Sequence, residues 1–548
     1  DLIQAQAAEL ELADAEPAWT DETEVKRVSD ELQEVQDTLI PCGLHVLGEP
    51  GSEQERTDQL LAMAEASSGT RPPEDAVRAL VLGSPPKEAW TAAGVEPTAE
   101  DVQLFEELSR TATLLETNPE IEALLRALDG RFIRPAPGGD LLRTPDILPT
   151  GRNVHGFDPF RIPSKFAVQE GERQARKLLD RYTADGHPLP DSVALVLWGT
   201  DNLKTEGGPI GQVLALIGAK PRFDGYGRLA GAELVPLEEL GRPRIDVMVT
   251  LSGIFRDLMP LQTRMLAEAA YLAATAEEPE EMNHIRRNSL RFQREQGCDM
   301  ETAALRVFSN ADGAYGSNVN QLVDSGAWNE EDELAEAYSR RKCFAYGRSG
   351  RPVRQEEMLK SVLSGVKLTY QNLESVELGV TTIDHYFDTL GGIGRAVRRA
   401  SGEDVPVYIG DTTRGEGTVR TLGEQVTLES RTRMLNPKWY EGLLQHGSEG
   451  VRQIEASITN TMGWSATTGQ VQPWVYQQLS ETYVLDPEMR ERLAQLNPKA
   501  SVKLANRLLE AHERSYWEPD PSTLEALRKA GAELEDRLEG IGNSAVAA

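Results

Sequence analysis

SVALVLWGTDNLKTEGGPIGQVLALIGA, residues 192–219, decides the reading of the fold. Its first eight residues, SVALVLWG, are an unbroken apolar run, as expected of a strand covered on both faces. EGGPIGQVLALIGA, residues 206–219, reads as a helix that starts at its glycines. The pattern then repeats: RIDVMVTLSG (244–253) is a second apolar strand, and IFRDLMPLQTRMLAEAAYLAA (254–274) is a second helical run. Strand, helix, strand, helix with fully apolar strands implies a parallel sheet covered on both faces. The expected fold class is α/β and multidomain: a parallel-sheet α/β region with covering helices, plus largely helical regions.

Outward from that stretch the pattern changes. At 548 residues the chain exceeds one core, and about 150 residues per domain gives three or four domains. Val25, Val28, Leu32, Val35 and Leu39 recur at helical spacing, as do Leu104, Phe105, Leu108 and Leu115. Between them IPCGLHVLG (40–48) reads as a short buried strand, and RPAPGGD (134–140) marks a boundary. Residues 262–345 read as helical and charged, broken by SNADGAYGSNVN (309–320). Near the C-terminus, Ser522 and Glu525 form a capping box ahead of Leu527, Leu534 and Leu538. The expected regions are 1–133, mainly helical with a short strand; 134–280, the α/β region; 281–400, helical; and 401–548, mixed with C-terminal helices.

The net charge of −31 disfavours nucleic acid and anionic lipid as partners and favours cations or basic partners. Three scattered cysteines, with no C-x-x-C pair, exclude a zinc knuckle and fit a reducing cytoplasm. No apolar run approaches the ~18 residues of a transmembrane span. The N-terminus lacks a signal peptide and reads like a cut within a longer chain.

No G-x-x-x-x-G-K-[ST] loop occurs, so ATP hydrolysis is not expected of this chain. GYGRLAG (225–231) only superficially resembles a dinucleotide fingerprint, and EGGPIG is either an anion cradle at a helix start or a tight turn. In TTIDHYFDTLGG (381–392), helical spacing puts Asp384 and Asp388 on one face, with His385 three before Asp388. Two carboxylates and an imidazole suit a hard cation or a proton relay; the bland alternative is a solvated helix start. LNPKWYEGLLQHGSEG (435–450) and MGWSATTGQVQPWVY (462–476) set Trp439, Trp464 and Trp474 near Lys438 and His446. That density suits a flat apolar ligand with acidic edges, or a tryptophan-rich core.

Six stretches occur in one order: LHVLG (44–48), ALDGRFIRPAPGGDLLRTPDILPTGRNVHGFDP (127–159), LWGTDNLKTEGGPIGQ (197–212), RIDVMVTLSGIFRD (244–257), RKCFAYG (341–347) and LNPKWYEGLLQHG (435–447). With them the chain resembles the C-terminal half of the large porphyrin-binding subunit of metal chelatases. That family includes the large subunits of magnesium chelatase and of aerobic cobaltochelatase. YQNLESVELGVTTIDHYFDTLGG (370–392) and SATTGQVQPWVYQQLSETYVLDPEMRERL (465–493) resemble the magnesium type of bacteriochlorophyll-making bacteria. The cobalt type carries D-x-D-D-Y-Y where this chain has IDHYFD.

The resemblance implies Mg2+ and protoporphyrin IX as substrates, with ATP hydrolysed by two AAA+-type partner subunits. It also implies a cytoplasmic location and, as a further partner, the methyltransferase next in the pathway. The alternatives are a cobaltochelatase subunit acting on a corrin, or a non-catalytic tetrapyrrole carrier. In this light His385, Asp388, His155 and Asp158 are the expected catalytic residues, and Asp384, His385 and Asp388 the metal ligands. Arg152, Asn153, Lys438, Trp439 and Trp464 are the expected porphyrin contacts. For LPTGRNVHGFDP (148–159) the competing reading is an interdomain clasp. Two departures accompany the resemblance. The family's large subunit is longer and carries an H-G-x-x-L-E-type motif absent here, and Thr389–Gly392 replaces an Asp-Pro continuation of oxygenic phototrophs.

Overall fold

The computed structural model describes residues 38–541 apart from 70, 93, 95, 137–138, 143 and 155–156, together with 26, 28–29 and 32–35. The chain forms two units, each discontinuous in sequence. A sheet unit comprises His45–Ser375 and Asp388–Thr421; a helical unit comprises the described parts of Asp1–Leu44, Val376–Phe387 and Leu422–Ala548.

The sheet unit holds eight strands in one sheet: β1 (Ser192–Leu197), β2 (Asp246–Leu251), β3 (Val307–Ser309), β4 (Phe344–Tyr346), β5 (Pro352–Arg354), β6 (Leu368–Leu373), β7 (Val407–Asp411) and β8 (Thr418–Thr421). Their order is β8-β7-β6-β1-β2-β3-β4-β5. From β7 to β3 every pair is parallel, as the apolar runs predict, while β8, β4 and β5 add antiparallel margins. All six residues of β1, β2 and β6 are buried, because helices cover both faces.

Six helices of this unit matter below: α1 (Glu120–Leu128), α2 (Lys165–Ala184), α3 (Gly208–Ile217), α4 (Pro260–Thr275), α5 (Glu331–Lys342) and α6 (Gly392–Ser401). Leu178 of α2, Val213 and Leu216 of α3, and Leu266 and Ala269 of α4 pack with Val193, Leu195 and Val249 into one core. GYGRLAG proves to be a hairpin turn: Asp224 accepts the N–H groups of Tyr226 and Arg228, between antiparallel strands Ala219–Phe223 and Leu229–Leu234. Of the two readings of EGGPIG, the tight turn is the one realised. Gly207 sits at φ +97° against Pro163, and the N–H groups of Gly208 and Ile210 bind Thr205 Oγ1 and Asn202 Oδ1.

The helical unit centres on α7 (Ser448–Thr468), which is buried on nearly all its faces from Gly450 to Thr467. Its Gly463 lies against the Phe387 ring, where a Cβ would come within 2.7 Å. Two local expectations are corrected. Residues 40–48 are irregular rather than a strand, since Val46 and Leu47 face solvent and find no strand to pair with. The final helix, Pro521–Leu538, is capped by Asp520, whose carboxylate takes the N–H groups of Ser522 and Thr523, in place of a Ser522–Glu525 box. Among the described residues no helix is long and apolar enough to cross a membrane.

Candidate functional site

The loop 148–159 belongs to the sheet unit, and its Arg152 is engaged at home. The guanidinium donates to the carbonyls of Asp146 (2.7 Å), Leu148 (2.8 Å) and Pro149 (3.2 Å), closing the loop on itself. Asp158 caps the short 3-10 turn Pro159–Arg161 through the Phe160 N–H at 3.0 Å and pairs with Arg161 at 3.2 Å. Asn153 lies in a two-residue parallel ladder with Pro135–Ala136. His155 lies outside the described residues. Within its unit the loop thus has the construction of a clasp.

The clasp leads to a carboxylate that the motif reading did not single out. Gly151, at φ +72°, lies so close to Pro119 that a Cβ would sit 2.9 Å from its carbonyl oxygen. The next residue, Glu120, opens α1, and its Oε2 receives His45 Nε2 and the Gly48 N–H, each at 2.9 Å. The Thr150 hydroxyl also binds this carboxylate. Burial alone would raise the Glu120 pKa, but the bonds from Gly48, His45 and Thr150 outweigh it and hold the carboxyl below its usual range. LHVLG and LPTGRN, two stretches that carry the resemblance, therefore converge on one ionised side chain.

In the helical unit the segment 376–383 is fastened from below. Glu429, fully enclosed, accepts the N–H groups of Val380 (2.9 Å) and Thr381 (2.8 Å). Arg433 donates to the carbonyls of Val376 and Leu378, and Asn460 to that of Thr381. Trp464 is fully buried with its indole N–H on the Val380 carbonyl at 2.7 Å, so it is closed to a ligand and serves this platform. Trp439 is likewise core, whereas Lys438 is exposed at the start of helix Pro437–Leu444. Trp474 is half-buried under the Arg431 guanidinium, 4.9 Å from its ring centroid.

The platform presents Asp384 and His385, 3.8 Å apart and 51% and 60% exposed. Helical geometry does not persist beyond them as an α-helix: Asp384–Tyr386 passes into a π-helical turn, Phe387–Gly391. Asp388 is wholly buried in the sheet unit, where it accepts the Ser317 N–H (2.7 Å) and the Asn320 N–H (3.1 Å). Its carboxylate is thus a loop anchor. Among the described residues no group of three or more His, Cys, Asp or Glu side chains is placed to hold a metal ion.

A further polar cluster, missed in the sequence, sits at the carboxyl ends of β2 and β3, where α/β sheets place ligands. Lys342, the last residue of α5, is fully buried with Nζ 2.8 Å from Asn310 Oδ1 and 3.4 Å from the Leu251 carbonyl. Arg256 donates to the carbonyls of Ala311 and Ala314, fixing the loop 310–315. The only sequence signal was that Lys342 lies within RKCFAYG, one of the stretches that carry the resemblance. Grooves of about 370 and 440 Å3 lie elsewhere, one walled by Arg490, Lys529 and Glu533, the other by Arg340, Glu357 and Arg399. Neither has an aromatic lining residue or any of the expected catalytic, metal or porphyrin residues, so neither suits a flat ring.

Comparison with known proteins gives a consistent picture. A sequence model described as CobN/Magnesium Chelatase matches residues 1–89 and 70–524. The H-type large subunit of magnesium chelatase from Cereibacter sphaeroides is 59% identical over 540 residues, 98% of this chain and 41% of that protein. The aerobic cobaltochelatase subunit CobN of a Sinorhizobium species is 36% identical over 437 residues, 78% of this chain and 33% of that protein. The solved catalytic subunit of cobaltochelatase from Mycobacterium tuberculosis superposes with a TM-score of 0.86 at 32% identity, covering 97% of this chain and 48% of its own. The chain spans less than half the length of each of these relatives.

Proposed function

The chain belongs to the CobN/magnesium chelatase family, and we propose that it forms part of the porphyrin-binding subunit of a magnesium chelatase. The observation that carries this reading is the graded likeness: 59% identity along nearly the whole chain to a magnesium-chelatase subunit, against 36% over a shorter span to a cobaltochelatase subunit. The reaction is Mg2+ insertion into protoporphyrin IX, a step of (bacterio)chlorophyll synthesis in the cytoplasm. Two AAA+-type partners hydrolyse the ATP, in keeping with the missing phosphate loop in this sequence. The methyltransferase that takes the product is a further partner.

The chemistry sets what the residues must do. Mg2+ holds its water tightly and prefers oxygen ligands, and the ring must lose two N–H protons. Asp384 and His385, exposed together on a fixed platform, are the pair we assign to the incoming metal. Asp388 we assign to holding the turn that follows, and Arg152 and Asp158 to the form of their loop. Lys438, exposed at the start of its helix, is the side chain we assign to a ring propionate.

The test is insertion by the full-length protein with its ATPase partners, ATP and Mg2+, followed by the fluorescence of the metallated ring. Metallation of protoporphyrin IX, with a corrin and Co2+ giving none, is the expected result. Insertion of Co2+ into the corrin alone would assign the protein to the cobalt branch. Saturable ring binding without insertion of either metal would make it a carrier.

A further inference from the structure

We propose that the apolar face of α1 is the seat of the rest of the large subunit, the portion of polypeptide that lies outside these 548 residues; this rests on the chain being part of that subunit, whichever metal and ring it handles. α1 reads EIEALLRAL, with Ile121, Leu124, Leu125 and Leu128 at the i, i+3, i+4, i+7 positions of one helix face. In a surface helix such a stripe faces a core. Here it faces water. The four side chains are 45–77% exposed, and Glu120 is the one buried residue of the helix.

Built contacts hold α1 in this pose. Its first residue, Glu120, takes bonds from His45, the Gly48 N–H and Thr150, while Gly151 packs against Pro119 just before it. The apolar surface also runs past both ends of the helix. At the start, Gly48 lies on Ile121, where a Cβ would sit 2.6 Å from Cγ1, and the exposed Val46 and Leu47 precede it in the chain. At the end, Arg126 Nη2 donates to the Phe132 carbonyl at 3.3 Å and so returns the exposed Phe132 to the last turn. Single exposed leucines are ordinary, but a connected apolar surface on the order of several hundred Å2 marks an interface. Val46 and Leu47, which read in the sequence as part of a buried strand, are on this account covered by a neighbour and not by a sheet.

Composition, charge and length choose the occupant. Interfaces that form and break are about as polar as ordinary surface, whereas permanent ones are more apolar. No charged residue interrupts the stripe, which therefore suits a permanent neighbour over a transient partner. A second copy or an anionic lipid surface would set negative charge against a chain of net charge −31. The relatives supply the permanent neighbour: each holds more than half of its length outside the part that this chain matches.

The experiment places a cysteine at Leu125 or Leu128 (Leu125→Cys, Leu128→Cys) in the full-length subunit and in the 548-residue chain, with no ATPase partner present. Maleimide labelling is followed by mass spectrometry of the labelled peptide and normalised to the rate in urea. Labelling about tenfold slower in the full-length subunit than in the 548-residue chain is the expected result. Equal rates would overturn the proposal. Slow labelling already in the 548-residue chain would also overturn it, in favour of a covering segment of this chain or, where the rate falls with concentration, a second copy. Protection that appears only when the ATPase subunits are added would assign the face to them instead. A second measurement uses Leu125→Asp, which should lower by a few degrees the temperature at which the full-length subunit first unfolds and leave that of the 548-residue chain unchanged. No shift in either, or the same shift in both, counts against the proposal. Neither measurement involves porphyrin, metal or ATP, so both results stand whatever becomes of the metal-insertion reading.

Discussion

A fully buried ammonium is expensive, and Lys342 is one. Burial pushes its pKa down to about 8, with the Asp388 charge pulling the other way. The unfolded chain holds that proton up to about 10.5, so between the two values the unfolded state binds more protons and stability rises with pH. Lys342→Met keeps the volume and removes the titration. The unfolding free energy of wild type minus that of Lys342→Met should climb by up to about 1.4 kcal/mol per pH unit between pH 8 and pH 10. Tyr338, whose pKa burial raises, affects both proteins alike and drops out of the difference. A flat difference would mean that the lysine stays charged in the fold. Sequence reasoning reached only part of this scale. Arg152, expected as a porphyrin contact, instead holds the carbonyls of Asp146, Leu148 and Pro149, partners that residue spacing alone does not reveal. Glu120 was not legible: it lies 75 positions from His45, inside an ordinary helix start, and only the fold joins them. The inward turn of Asp388 was hidden because its partners are the backbone N–H groups of a distant loop, which no spacing rule encodes.

Elements were more legible than residues, and the reasons can be named. β1, β2, α3 and the helical run ending in α4 follow directly from apolar runs long enough to have one interpretation. Residues 40–48 misled because a short apolar run between glycines says nothing about whether a partner strand exists. The contact of α2 with α3 shows a further limit. Gly171 lies in the middle of α2, where glycine weakens a helix, and the reason is in another element. A Cβ there would lie 2.3 Å from the Gln212 nitrogen and 2.4 Å from the Gly211 carbonyl carbon, both backbone atoms of α3. Gly211 in turn presses on the Ala167 carbonyl, so neither helix can give way by rotating a side chain. Gly171→Ala should therefore destabilise the sheet unit by about 1–3 kcal/mol despite its better helix propensity. Chemical denaturation of the two proteins measures this directly, and a stabilised variant would show that the helices separate freely.

At the scale of the whole molecule the connectivity has consequences that a linear reading does not reach. Apolar patterning is local, so it divides a chain into contiguous stretches such as 134–280 or 281–400. The sheet unit, however, closes only when β7 and β8 return after the excursion 376–387. β6 is buried at all six positions and pairs with β7 over five residues, from Thr369–Val407 to Leu373–Asp411. The same returning segment brings Asp388 to the loop at Ser317 and α6, whose Gly392 packs on Tyr338. A chain ending at Ser375 would leave β6 as an exposed, apolar edge, which is a template for aggregation. It would also leave the N–H groups of Ser317 and Asn320 without their carboxylate. Residues 45–421 should therefore give a monomeric protein with one cooperative thermal transition, whereas residues 45–375 should aggregate or melt without one. Size-exclusion chromatography and calorimetry of the two distinguish these outcomes. A cooperative monomer from 45–375 would mean that the five-stranded parallel core needs only four of its strands, and that β7, α6 and Asp388 are additions to a fold already closed at Ser375.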